Sequence, residues 1–302
     1  MSVDWFLRAL QEQQIQRALF GAVLIGFTNG ILSVFIVIRR LSLMADAISH
    51  SLLPGLAIAL ILFGAAPSTL FVGAIVAAAL VAFGTQIISN SSRIKEDTAL
   101  GLLFACAFSL GQALLKFSPT HIAISDYLFG NILGMSDGDL FLIYGVSWVL
   151  LPALVLLQRP FLLMLFEPSV AATQGVPVRM LKYVLMGILV LAMTSSLQAV
   201  GIILALGTLI APAATVYLFV DSFPVLFWMS GFLGAIGAAI GLSVSAVTDL
   251  PAGACIVLVL GLFFFVAYLF SPKYGLLRKL RKGHLHEQSL ARWQEHARSQ
   301  QR

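Results

Sequence analysis

"ALFGAVLIGFTNGILSVFIVIRR", residues 18–40, decides the architecture. Twenty-one uncharged residues lead without a break to Arg39 and Arg40. Coiled as a helix, such a run crosses the ~30 Å of hydrocarbon in a bilayer. It carries no basic leader and no small-residue cleavage pattern, so it reads as a retained span and not as a signal peptide. Comparable runs follow at about 44–64, 68–88, 98–115, 139–157, 182–199, 201–220, 225–247 and 252–270. That makes nine spans. Residues 182–220 are nearly continuous apolar sequence, broken only at "SSLQAVG" (195–201); without that break, or with a re-entrant segment, the count is eight.

The whole composition agrees. Of 302 residues, 60% are hydrophobic and 10% charged, and the mean hydropathy is +0.99. This is an all-α polytopic membrane protein. A membrane β-barrel would need ten-residue alternating strands, which are absent. The net charge of +5 sits on no folded basic domain, which excludes nucleic acid as a partner. Cys106 and Cys255 lie far apart inside apolar runs and read as buried small hydrophobes, not as a disulfide or a thiolate site.

Basic residues set the orientation. With Arg39 and Arg40 in the cytoplasm, the inner segments hold those two, Arg93, Lys95, Arg159, Arg179, Lys182 and eight more after Ser271, fifteen in all. The outer segments hold Arg8, Arg17 and Lys116. The bias follows the positive-inside rule and puts the N-terminus outside and the C-terminus in the cytoplasm. Three regions result: an interfacial N-terminal helix (1–17), a membrane domain (18–270) containing a large inner connection (158–181), and a basic cytoplasmic tail (271–302).

Among all Lys, Arg, Asp, Glu and His, only Asp46 and His50 fall well inside a span. A charged side chain at that depth costs roughly 2.5 to 3.5 kcal/mol on insertion scales. Four residues apart, the two share one helix face, and a carboxylate oxygen with an imidazole nitrogen can hold one divalent cation. An unbroken helix from Arg40 would place His50 about 15 Å up, near the midplane. Pro54 removes the N–H that would close on the His50 carbonyl, leaving that oxygen for water or a cation. Gly55 lets a neighbour approach closely. Manganese, iron(II) and zinc want four to six ligands, and one chain offers two. A two-fold homodimer would supply two carboxylates and two imidazoles, whose charge balances one M²⁺. A structural Asp–His hydrogen bond, a helix cap at Asp46 and a proton relay stay open on spacing alone.

With its flanks, "VFIVIRRLSLMADAISHSLLPGLAIA" (34–59) resembles the membrane subunits of bacterial ABC importers for manganese, zinc and iron. Asp46, His50 and Gly55 occupy the places of that family's Gly-Asp-x-x-x-His-x-x-x-x-Gly stretch, with Ala45 where glycine is usual. "ILALGTLIAPAAT" (203–215), "DLPAGACIVLV" (249–259) and "SPKYGLL" (271–277) extend the likeness over most of 15–280. The resemblance implies a homodimeric permease in the bacterial cytoplasmic membrane that imports a divalent transition metal, with no permanently bound cofactor. It also implies a separate cytoplasmic ATPase and an extracytoplasmic metal-binding protein. It assigns metal coordination to Asp46 and His50. "LFEPSVAATQGVPVRML" (165–181) is similar to the family's ATPase-docking segment, carried here by Glu167, Ala171, Ala172 and Gly175.

No Gly-x-x-x-x-Gly-Lys-Ser/Thr loop occurs, so the chain is a transport subunit and not the ATP-hydrolysing enzyme. The alternative is a gradient-driven metal/proton transporter, which would show an internal repeat; no second Asp-x-x-x-His exists. An intramembrane metalloprotease would need further ligands and a general base. His284, His286 and His296 read as part of a solvated tail helix. His121 and Asp126 belong to an outer loop, and Asp249 to a helix terminator at the outer rim.

Overall fold

A computed structural model describes residues 13–64, 66–117, 137–248, 250–272 and 275. The described residues form helices and turns without strands. The helices are α1 (Gln13–Arg39), α2 (Ser42–Ser51), α3 (Leu53–Phe63), α4 (Pro67–Ser91), α5 (Glu96–Leu115), α6 (Asp137–Phe166), α7 (Pro168–Thr173), α8 (Val178–Val200), α9 (Ile202–Tyr217), α10 (Phe223–Thr248) and α11 (Ala252–Phe270). Eight helical spans among the described residues are long and apolar enough to cross a membrane, with α2 and α3 counted as one.

The first helix is longer than its apolar run. It begins by Gln13, so residues 13–17 continue α1 and do not belong to a separate interfacial helix. Residues 1–12, the core of that expected helix, lie outside the described residues, as does most of the basic tail. At its other end Arg40 takes a left-handed conformation (φ 57°) and the N–H of Leu41 reaches back to the Ile36 carbonyl at 2.9 Å. This 6→1 closure stops α1 and turns the chain into α2.

The seventh expected span, 201–220, forms a helix too short to count among these eight. The break expected in "SSLQAVG" falls at Gly201 (φ 88°), which caps α8 and opens α9. The 16 residues of α9 span about 24 Å, less than the hydrocarbon thickness. Packing still gives its direction. Near its start, Leu204 shares a core cluster with Ala18, Ala22 and Ile25. Near its end, Ala213 and Val216 pack with Val34, and Val37 and Ile38 lie against that cluster. So α9 runs parallel to α1. Beyond it, the Ser271 hydroxyl donates to the Leu218 carbonyl at 2.6 Å, bringing the ends of α9 and α11 to one level.

The main core is where α1, α2, α4, α6 and α8 meet, around Phe35, Ile48, Leu52, Leu154, Phe161 and Met193, all at most 2% exposed. The outside is as apolar as the inside. Leu80, Leu102, Phe141, Trp148, Leu156 and Phe265 are exposed, the belt that hydrocarbon requires. Cys255 is buried as expected; Cys106 is instead exposed on the outer face of α5.

Candidate functional site

The site begins with the periodicity of α2. Ala45, Ile48, Ser49 and Leu52 turn into the core. Leu43, Asp46 and His50, spaced three and four apart, make one opposite stripe. Along that stripe Leu43 is 75% exposed, the Asp46 side chain is 51% exposed and His50 is partly covered, with 31% of its side chain exposed.

The Nε2 of His50 stands 3.8 Å from Oδ1 of Asp46. That is too long for a hydrogen bond, which removes the simple Asp–His bond as the reason for the pair. A first-row cation about 2.1 Å from both donors would need a donor–metal–donor angle of about 130° at this separation, wider than the tetrahedral or octahedral cis value, so the two side chains would have to draw together to share one ion. Neither residue caps α2. Its N-cap position is Leu41, and no side chain supplies a capping hydrogen bond. The Ser49 hydroxyl donates to the Asp46 carbonyl at 2.6 Å, within the turn that joins the two side chains.

The imidazole is held from the far side by α5. Its ring centroid lies 6.0 Å from Phe104 and 5.8 Å from Phe108, the latter at an interplanar angle of 88°. The Nδ1 atom is buried and has no hydrogen-bond partner among the described residues. No group of three or more His, Cys, Asp and Glu side chains assembles among the described residues. Among the described residues, Asp46 and His50 are thus two candidate donors without a third beside them.

Pro54 acts as expected on the helix but not on the carbonyl. It sits at the start of α3, and Leu52 separates the two helices with near-helical angles (φ −69°, ψ −26°). The span is kinked, not continuous. The Leu52 N–H turns onto the His50 carbonyl and occupies one of its two acceptor sites. Gly55 does allow a close approach: a Cβ there would collide with the carbonyl oxygen of Gly73 in α4, and one at Gly73 would stand 2.5 Å from the Gly55 oxygen. Both glycines line an apolar groove of about 590 Å³ beside Val72, Val76 and Leu110, which offers no ligating side chain.

The connection expected at 158–181 is shorter: residues 158–166 continue α6 and 178–181 open α8, so 167–177 join them and hold the six-residue helix α7. Glu167 precedes it without a side-chain cap. Ala171 is fully buried and Ala172 exposed. Gly175 ends it in the left-handed region (φ 77°), with the Val176 N–H closing on the Ala171 carbonyl at 2.9 Å. Among the other sequence candidates, His121, Asp126, Asp249 and the tail histidines lie outside the described residues.

A polar cluster escaped the sequence reading. The buried amide of Asn29 in α1 donates to Oγ of Ser196 at 2.8 Å and Oγ1 of Thr208 at 3.0 Å, tying α1 to α8 and α9. Asn29 lies ten residues before Arg39, so about 15 Å from that end of α1.

Known proteins resemble this chain over nearly its whole length. Residues 11–271 match the family model described as ABC 3 transport family. The manganese transport system membrane protein MntC of Halalkalibacterium halodurans is 39% identical over 280 residues, 92% of this chain and 94% of its own. A probable iron transport system membrane protein of Haemophilus influenzae is 34% identical over 268 residues, 89% of this chain and 97% of its own. Among solved structures, PsaBC from Streptococcus pneumoniae in complex with Fab matches with a TM-score of 0.81 and 34% identity, covering 92% of this chain and 99% of that one.

Proposed function

The chain belongs to the ABC 3 transport family, and from this premise we propose that Asp46 and His50 hand a divalent metal, manganese first among candidates, across the bacterial cytoplasmic membrane. It is a multi-pass permease of an ATP-binding-cassette import system for a divalent transition metal. The observation that carries the site is the exposed polar stripe on α2. A carboxylate half exposed within a membrane span does not face lipid, where it would cost several kcal/mol. It faces a second copy of the chain or a water-filled path.

A second copy meets the chemistry better. Two Asp46 and two His50 side chains give four protein donors and two negative charges, which balance one M²⁺ in a low-dielectric setting. Oxygen and imidazole donors without thiolate favour manganese over softer ions, and the manganese transporters among the relatives support that choice. The metal is cargo, and no cofactor is held permanently. Pro54 and Gly55 set the kink and the tight α3–α4 contact that fix the ligand-bearing half. Energy comes from a separate cytoplasmic ATPase, seated on the segment of Glu167, Ala172 and Gly175 that the buried Ala171 anchors to the fold, and an extracytoplasmic binding protein delivers the ion. The basic ends of α1, α4 and α8 face the cytoplasm, with the N-terminus outside.

The test is ATP-dependent manganese uptake in vesicles containing the permease and its co-expressed ATPase. Asp46→Ala and His50→Ala are each expected to lower uptake by on the order of 100-fold while the complex still assembles. Undiminished uptake in either variant overturns the site. Competition by iron(II) and zinc in the same vesicles ranks the cargo.

A further inference from the structure

We propose that Phe104 and Phe108 hold His50 as a ligand denied support at its second ring nitrogen, so that cargo binds weakly enough to leave. This rests on His50 being a cargo ligand. A neutral imidazole that ligates through Nε2 carries its proton on Nδ1. In resident metal sites that N–H nearly always donates to a carboxylate, a carbonyl or water, which fixes the ring and raises its basicity. Here Nδ1 is closed off from solvent and has no acceptor within hydrogen-bond distance among the described residues. Its burial also keeps an approaching second copy from reaching it. The fixing is done by shape. Phe104 and Phe108 lie one helical turn apart on α5, 6.0 Å from each other, and both flank the imidazole. A phenyl ring offers bulk and no lone pair.

The arrangement separates two properties that a resident site combines. The imidazole is oriented, with Nε2 toward Asp46, but its affinity is not reinforced. A carrier needs that combination, because an ion that enters must also be released. Support of this kind is worth about 10- to 100-fold in metal affinity, so its absence moves the site from storage toward transfer. The two phenylalanines are thus positioning residues that act through His50.

The experiment adds the missing acceptor. Phe104→Gln and Phe108→Gln each bring an amide oxygen within reach of Nδ1, and Phe104→Thr is a smaller acceptor variant should glutamine disturb assembly. Phe108→Leu is the control without an acceptor. Manganese uptake is measured in vesicles with the ATPase, and Mn²⁺ binding on the purified permease. At least one acceptor variant is expected to lower KM and Kd for Mn²⁺ about tenfold and to reduce kcat by a similar factor, and Phe108→Leu to show no such gain. In a His50→Ala background the acceptor variants are expected to change nothing. Assembled acceptor variants with unchanged or weaker Mn²⁺ binding overturn the inference and leave the site reading standing. His50→Ala with normal uptake overturns the site reading instead.

Discussion

Asn29 shows how much a single neutral residue can hold inside this bundle. Its amide reaches two hydroxyls from helices 167 and 179 residues further along the chain. Thr208 in turn donates to the Leu204 carbonyl at 3.0 Å, so the cluster ends in backbone. Hydrogen bonds between helices in hydrocarbon contribute on average about 0.6 kcal/mol each, because separated helices also find partners. Asn29→Ala removes both bonds and leaves hydroxyls that can turn to their own helices. The expected cost is about 1 kcal/mol, read as a fall of a few degrees in the unfolding midpoint of the purified permease, with manganese uptake retained. A collapse of uptake at unchanged stability would show that Asn29 acts on the cargo. Charge made Asp46 and His50 visible in the sequence, since nothing else charged lies deep in a span. Asn29, Ser196 and Thr208 carry no charge and no mutual spacing, and only the fold brings them together. The aromatic walls of His50 were hidden for a similar reason: Phe104 and Phe108 are two among 22 phenylalanines.

At the scale of elements, punctuation was legible and depth was not. Pro54 marks the junction of α2 and α3, and Gly201 divides α8 from α9 at the one polar interruption of a long apolar stretch. What composition did not reveal is that α9 stops at Tyr217, because Leu218–Val220 are as apolar as the helix before them. Nor did it reveal that Leu52 would satisfy the carbonyl that Pro54 abandons. The short α7 presents a sharper case. Its two alanines look alike in sequence, yet Ala171 is buried and Ala172 exposed. If this turn seats the ATPase, the exposed alanine belongs to the contact and the buried one to the fold. Ala172→Arg is therefore expected to lower co-purification of the ATPase at least tenfold, since a long charged side chain replaces a small contact. The permease alone should unfold at the same temperature as wild type. Full recovery of ATPase with the arginine variant would remove α7 from the interface.

Across the whole molecule, the parallel course of α1, α9 and α11 gathers Arg39, Leu218 and Ser271 at one end. Among the described residues, Leu43 and much of the Asp46 side chain stay exposed, and only His50 is packed, against Phe104 and Phe108. A cyclic dimer about an axis beside α2 would bury that stripe against its own copy, as a two-fold contact demands. The consequence is a test of stoichiometry. Wild-type and Asp46→Ala chains carrying different affinity tags are co-expressed with the ATPase, and the mixed dimer is isolated by sequential capture and reconstituted. If both carboxylates serve one ion, the mixed dimer has lost half of the compensating charge for M²⁺, and its uptake should match that of the doubly substituted dimer. If each chain carries its own pathway, the intact half works on, and uptake should stay at about half of wild type. The second result would separate the two copies of Asp46 and leave each one in need of ligands beyond those that the described residues bring to it.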